Sequence, residues 1–333
     1  MFSASITLPV LDHGRPLRLT PTDVSQFVRL EQCERYLRFR LAERAGQDFM
    51  DAYGVVPQRI TPLLSLSGRR FEEHIEEALE RRFRTVHYAA KYALAHNRPD
   101  NNREVADEAR RLRPGEAVLL FQPRLETELD GWRLRGDVDL LRLERVADGA
   151  LHVLIADMKS TAEVKVEHRL QVTFYHLMLD RLFRDERISC DRIQTGIIFR
   201  GPTEPEPDDA ERVETLRQAA QDFLGRDDAL LEIVADPDAY LRSVHDLVTG
   251  PDLLARRIAR SALEDLSFAL DFKCDGCLYN EFCMKWSAEH EDLALLPYLT
   301  GIEKEALRRS GVRTISDLAS YSDRSAARSS WNW

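Results

Sequence analysis

Between Ser67 and Arg84 the apolar residues fall at Phe71, Ile75, Ala78, Leu79 and Phe83, the spacing of a helix that buries one stripe. His74 lies on the same side of that helix. Residues 20–45, TPTDVSQFVRLEQCERYLRFRLAERA, predict two more helical stretches, with Thr22 as N-cap and apolar faces from Phe27, Leu30, Tyr36, Leu37 and Leu41. Cys33 falls near the break between them. Residues 48–67 show no clear period and contain Pro57 and Pro62, while residues 91–115 are polar and partly helical.

The period then changes to that of strands. Residues 117–129, an Asp130-Gly131 turn and residues 132–144 predict a hairpin, and LHVLIADMKS (151–160) predicts a third strand after a turn at Asp148-Gly149. A helix over EVKVEHRLQVTFYHLMLDRLF and a strand over 193–201 follow. Beyond the polar linker GPTEPEPDD, two or three helices are expected over roughly 209–270. Residues 288–325 predict a small helical module, with a loose tail over 326–333. The N-terminal SITLPV run reads as a strand and lacks the basic start of a signal peptide.

Composition narrows the class. A 333-residue chain with 44% hydrophobic and 31% charged residues is expected to be soluble and globular. The apolar runs are too short to span a bilayer, so no membrane partner is expected. Five cysteines, three of them clustered near one end, fit a reducing cytoplasm better than a disulfide framework. The net charge of −10 argues against nucleic acid on bulk electrostatics alone. A local lining of arginine can still hold DNA, and the six residues Arg29, Arg35, Arg38, Arg40, Arg69 and Arg70 crowd the segments around Cys33 and His74.

Candidate chemistry lies on the strands. In 132–144, Asp137 and Asp139 are two apart and share a face; in 151–160, Asp157 and Lys159 do the same, about 6.5–7 Å apart along the strand. If those strands are neighbours, Asp139 and Asp157 converge on one divalent ion with Lys159 beside it. Oxygen donors suit Mg²⁺ or Mn²⁺, the Met158 carbonyl offers another oxygen, and His74 is a candidate to complete the shell. Gln171 and Tyr175, spaced i, i+4, stand on the next helix. Each residue alone has a plainer reading: solvated strand acids, a same-face ion pair, a core histidine, helix-surface polar groups. Their order along one chain weighs against chance.

A second constellation is Cys274-x2-Cys277-x5-Cys283. Three thiolates are one short of a closed site, and Cys33 and Cys190 are the remaining cysteines. A cysteine-only set fits zinc or a cubane.

Taken together, roughly residues 20–287 resemble the RecB-like branch of the PD-(D/E)xK nucleases that carries an iron–sulfur cluster. Examples are the AddB nuclease domain and the CRISPR-associated RecB-like exonucleases, and the likeness is strongest to stand-alone or fusion RecB-family nucleases. The resemblance implies an α/β, restriction-endonuclease-like mixed sheet flanked by helices. Residues 1–287 then form the nuclease domain, its terminal segments stapled by a cluster, with the 288–325 module appended. It puts the family histidine on His74, the Gly-x-x-Asp motif on Gly136 to Asp139, the acid-x-lysine pair on Asp157 and Lys159, and the Gln-x3-Tyr helix on Gln171 and Tyr175. It assigns Cys33, with Cys274, Cys277 and Cys283, to a [4Fe–4S] cluster and leaves Cys190 out. The proline of the superfamily's name has no obvious counterpart here.

The implied activity is metal-dependent hydrolysis of DNA, single-stranded or with free ends, with a helicase or another repair or defence protein as partner in trans. The alternatives are a catalytically silent DNA-binding scaffold and a zinc-stabilised interaction protein. Residues 301–319 resemble a degraded helix-hairpin-helix unit; the plainer reading is a packed helical pair.

Overall fold

The structure, a computed structural model, describes residues 11, 16–56, 62–88, 98–249 and 253–320. The SITLPV run and the expected loose tail lie outside the described residues. The first elements are β1 (Leu17–Leu19), α1 (Pro21–Arg29), α2 (Glu34–Arg44), α3 (Phe49–Ala52), α4 (Pro62–Glu80), β2 (Arg84–His87) and α5 (Asn102–Arg111). Then come β3 (Glu116–Phe121), β4 (Arg124–Leu129), β5 (Trp132–Asp137), β6 (Leu140–Arg145) and β7 (Leu151–Lys159). The remainder is α6 (Val166–Asp185), β8 (Arg192–Phe199), α7 (Ala210–Leu224), β9 (Leu230–Ile233), α8 (Asp238–Val248), α9 (Leu254–Arg260), α10 (Asn280–Glu289) and α11 (Gly301–Arg309), with short 3₁₀ turns between. Among the described residues no helix is long and apolar enough to cross a membrane.

The chain divides into two units. A sheet unit comprises Arg15–Gln26 and Ile60–Leu254; a cysteine unit comprises Met1–Gly14, Phe27–Arg59 and Ala255–Trp333. The residues expected as an appended module after 287 therefore fall in the same unit as the cysteine segments.

In the sheet unit six strands run in the order β2-β3-β6-β7-β8-β9, and a three-stranded sheet runs β1-β5-β4. β6 is antiparallel to both β3 and β7, and β8 returns parallel to β7 after α6. This is the expected succession of antiparallel strands, helix and strand. It is a mixed α/β fold with flanking helices.

The expected hairpin forms, but it is split. Asp130 and Gly131 both take positive φ (47° and 77°), the two-residue turn whose twist suits a hairpin. Halfway along, Gln122 also has positive φ (53°) and Pro123 has no N–H to give a ladder. The outer halves, β4 and β5, pair in the small sheet; the inner halves, β3 and β6, pair in the large one. Asp139 sits at the change of sheet, where β5 ends at Asp137 and β6 begins at Leu140. Asp137 and Asp139 therefore do not alternate along one continuous strand, as their spacing alone suggested.

β7 is buried on both faces, which is why it reads as a nearly unbroken apolar run. Leu154, Ala156 and Met158 pack with Phe71, Ile75 and Leu79 of α4 and Phe223 of α7. On β8, the next strand, Ile197 and Phe199 turn the other way and pack with Val172 of α6. Full burial of a side chain such as Ile75 or Leu79 stabilises the fold by roughly 1.5–3 kcal/mol. Two apolar layers thus hold the strand end at Asp157 and Lys159 in place.

The cysteine unit is built around aromatic rings. Phe39 of α2 stacks on Phe49 (centroids 4.8 Å) and meets Tyr279 at 4.9 Å and Phe282 at 4.8 Å. Tyr53 packs on Phe282 at 4.6 Å. Polar ties add direction: Arg29 donates to the Gly276 carbonyl (3.0 Å) and Lys285 to the Tyr53 carbonyl (2.6 Å). α11 opens with a capping box between Thr300 and Glu303, and its buried Lys304 pairs with Asp292 at 2.6 Å.

Candidate active site and metal centre

β7 and the β5–β6 junction bring Asp157, Lys159 and Asp139 together. The backbone amide of Met158 donates to Asp139 Oδ2 at 2.8 Å, so the junction is tied directly to β7. Lys159 Nζ lies 2.6 Å from Asp157 Oδ2 as an ion pair, though that oxygen, buried, accepts no aligned hydrogen bond. Asp157 Oδ1 accepts from Gln171 Nε2 at 3.0 Å. Tyr175, one helical turn on, donates its hydroxyl to the Asp137 carbonyl at 2.6 Å and so pins the backbone just before Asp139.

The glycine of the Gly-x-x-Asp motif has a steric reason. A Cβ on Gly136 would lie 2.6 Å from Tyr175 Cε1 and 2.9 Å from the Pro21 ring. Only a residue without a side chain lets Tyr175 approach. Asp137 serves a different purpose, anchoring two guanidinium groups: Arg124 Nε (2.6 Å) and Arg98 Nη2 (2.9 Å) both donate to it. Burial works against its carboxylate, but the arginines outweigh that and hold its pKa below the usual range.

The charge balance is uneven. Burial first, then the neighbouring Asp157 carboxylate, push the Asp139 carboxyl well above the ordinary range. Burial also disfavours the Lys159 ammonium, yet Asp157 and Asp139 more than compensate and keep it charged. Burial, followed by Asp139 and Asp157, raises the Tyr175 phenol, which stays neutral.

His74 is not drawn into this group. Its Nε2 lies 2.8 Å from Asp228 Oδ2, and both side chains are partly exposed. The helical acid that faces Lys159 and Asp157 is Glu72, with Glu76 beside it, and burial raises the Glu72 carboxyl. His168, in the first turn of α6, also faces Lys159 and Asp157; burial, then Lys159, lower its pKa. Its Nδ1 accepts from the Lys165 amide at 3.2 Å. Neither Glu72 nor His168 stood out in the sequence. For Glu72 the signal was geometric: at about 100° per residue, residues 72 and 76 border one edge of the apolar stripe and residue 74 borders the other.

In the cysteine unit Cys33 caps the N-terminus of α2, Cys274 lies in a 3₁₀ turn, Cys277 follows it, and Cys283 is in α10. All are free thiols. Cys283 faces Cys33, Cys277 and Cys274 electrostatically, and burial raises its pKa, with Arg35 opposing. Burial likewise pushes Cys33 up to about 11, while the Tyr36 amide lowers it. Cys190 belongs to the sheet unit, its Sγ 3.5 Å from the Leu151 carbonyl. Among the described residues, no three His, Cys, Asp or Glu side chains close up tightly enough to define a metal cage.

The arginines expected to line a DNA path are mostly committed elsewhere. Arg35 and Arg38 are buried, at 1% and 0% exposure. Arg38 reaches the Ser261 carbonyl and Arg40 pairs with Glu43. Arg69 and Arg70 on α4 remain exposed.

No curated protein matches the sequence. The crystal structure of SSO0001 aligns with 80% of this chain and 86% of its own, at 11% identity and a TM-score of 0.31, too low to carry an argument. The profile of the PD-(D/E)XK nuclease superfamily matches residues 28–284, a span that takes in Cys33, the split hairpin, β7, α6 and the Cys274–Cys283 segment. With most of its length in that match, the chain belongs to the PD-(D/E)XK nuclease superfamily.

Proposed function

We propose that the chain is a metal-dependent deoxyribonuclease acting on single-stranded DNA or DNA ends. The observation that carries the reading is the crowding of the half-buried Asp139 against the buried Asp157, with the Lys159 ammonium 2.6 Å from Asp157 Oδ2. An all-oxygen donor set suits Mg²⁺ or Mn²⁺. The buried Asp157 Oδ2, without an aligned hydrogen bond, fits a cation ligand. Asp139, Asp157, Glu72 and the Met158 carbonyl are the candidate donors; His74 is an outer residue held by Asp228. When bound, a divalent cation polarises the phosphoryl group and lowers the pKa of a water.

The chain's own residues do the rest. Gln171 fixes Asp157 through Oδ1, and the Met158 amide fixes Asp139 through Oδ2, so the oxygens outside those bonds are Asp139 Oδ1 and Asp157 Oδ2, the latter beside Lys159. Lys159 stays protonated, so it acts by charge: it orients a water and stabilises the negative charge that grows on the phosphoryl oxygens. Tyr175 holds the junction that carries Asp139. Arg69 and Arg70 are the exposed cations on α4 available to backbone phosphates.

Cys33, Cys274, Cys277 and Cys283 belong to one unit and lie within electrostatic reach of one another, and sulfur is a soft donor. We assign Cys33, Cys274, Cys277 and Cys283 to one [4Fe–4S] cluster, which ties the two chain segments of the cysteine unit; zinc is the alternative occupant. Iron and acid-labile sulfide in anaerobically purified protein are the readout, and stoichiometric zinc without iron selects the alternative.

The deciding experiment incubates labelled single- and double-stranded DNA with wild type and Lys159→Ala, in Mn²⁺ or EDTA. Cleavage by wild type in Mn²⁺ alone is expected. If wild type leaves every substrate intact, or Lys159→Ala cuts equally well, the nuclease reading fails and a silent DNA-binding scaffold replaces it.

A further inference from the structure

Arg35 is a charged side chain without an evident structural counterpart. It is 1% exposed, and its Nε and Nη1 have no hydrogen-bond partner. Its guanidinium carbon lies 3.4 Å from the Phe268 ring centroid and 3.8 Å from that of Trp286. Stacking on aromatic faces attracts a cation, but it does not satisfy N–H groups. A carboxylate, Asp292, also faces Arg35, yet that group is ion-paired at 2.6 Å with the buried Lys304. Lys304 in turn lies 3.7 Å from the same Phe268 ring. Arg35 and Lys304 thus share the Asp292 carboxylate, and a buried charge short of a partner is strongly unfavourable.

Besides the Tyr53 hydroxyl, which is hydrogen-bonded to Glu289, the polar neighbours of Arg35 include the thiols of Cys283 and Cys33. As thiols they are neutral and cannot balance it. Four metal-bound thiolates, whether around a divalent ion or a cubane, leave a net negative charge that itself needs compensation in a buried site. The two imbalances are opposite in sign and adjacent.

We infer that Arg35 is the counter-cation of the four-cysteine site: its stacked guanidinium neutralises the metal–thiolate group and donates N–H to the Cys283 sulfur. This rests on the assignment of the four cysteines to one metal group. Arginine suits the position better than lysine, because a planar, weakly hydrated fork can stack and donate at once. Arg35 is therefore a positioning residue, which holds metal through the sulfur of Cys283 rather than by ligation.

The test compares wild type, Arg35→Met and Arg35→Lys after anaerobic purification. Iron, sulfide and zinc per chain are measured, then the rate of metal release to a chelator, then thermal unfolding with and without metal. Arg35→Met should release metal about tenfold faster or more, the usual scale for lost outer-shell support, and should lower the Tm of loaded protein more than that of metal-free protein. Arg35→Lys should load fully and release at an intermediate rate. Equal release rates in all three, with equal Tm losses loaded and metal-free, would make Arg35 a plain core cation and overturn the inference. Should Arg35→Met give no folded protein, Arg35→Lys decides alone: faster release than wild type supports the inference, an unchanged rate overturns it. Wild type without stoichiometric metal overturns the cysteine assignment and this inference together, whereas loaded wild type with indifferent variants overturns the inference only.

Discussion

Around Asp139 and Asp157 the chain crowds acids at the ends of strands buried between two apolar layers; around the four cysteines it crowds thiols between helix ends and an aromatic cluster. Both settings desolvate their groups, but the consequences differ. Among the acids stands a permanent cation, Lys159, whose charge they sustain. The thiols are held neutral by burial, and it is the nearby cation, Arg35, that is left unbalanced. The carboxylate site is fixed by backbone ladders and the Met158 amide before any ion binds. The four cysteines come from segments about 240 residues apart in sequence, so bringing them together carries a larger loop-closure cost, which the metal group proposed for them would offset. On the proposed function, one region is preorganised for chemistry and the other holds a fold together.

Substitutions can break that contrast. The largest effect is expected from Lys159→Ala, a loss of cleavage of about 10³-fold, with DNA binding and metal content at the cysteines unchanged. A gel assay alongside anisotropy measures both, and a variant that also loses its iron would mean the two regions are not independent. Cys33→Ser should do the converse. It should empty the cysteine site and lower Tm by roughly 10 °C, while Cys190→Ser, in the sheet unit, changes neither; calorimetry and metal analysis of the pair decide.

Gly136→Ala sharpens the comparison within the sheet unit. The new methyl meets Tyr175 and Pro21 inside contact distance, which should cost about 1–3 kcal/mol and reduce cleavage without touching metal at the cysteines. Unchanged urea unfolding would show that Tyr175 is not held as described.

The smallest expected effect concerns pH. The folded-state pKa of Asp139 is raised above its unfolded value, so its favourable contribution is full at acid pH, below the ordinary carboxylate range. It is lost as pH rises through the folded value. Metal-free Asp139→Asn should then melt about 2–4 °C above wild type at neutral pH, and the gap should close on acidification. Added Mn²⁺ should raise the Tm of wild type and leave the variant alone. A metal-free pair with identical melting curves across pH would argue against the crowded carboxyls.

Much of this was legible in the sequence. The strand alternation, the Asp130-Gly131 turn and the long helix after β7 emerge where period and turn chemistry predict them, because those signals are local. The break at Gln122-Pro123 was also written in the chain, but its effect was not. That the two halves of each strand join different sheets is decided by their further partners, β7 beside β6 and β1, more than 100 residues before β5. Glu72 was hidden by His74, since a histidine draws attention as a ligand while a glutamate beside an apolar stripe resembles any solvated border. The arginines misled for a similar reason. Helical spacing cannot tell a guanidinium that lines a surface from one that lies between Phe268 and Trp286.

The division of the chain sets a timetable for synthesis. The sheet unit is complete by Leu254, whereas the cysteine unit also needs residues from Ala255 onward. At roughly 5–20 residues per second, Cys33 leaves the ribosome some 10–50 s before Cys274 does. Asp139, Asp157, Lys159, Gln171 and Tyr175 are all made within that interval, so the carboxylate site can assemble while the first cysteine still waits for its partners. If the thiols hold the metal proposed for them, a cell starved of it would accumulate chains with a finished sheet unit and an unfinished cysteine unit, and those chains would present the Phe39 and Phe49 rings to whatever surveys nascent protein.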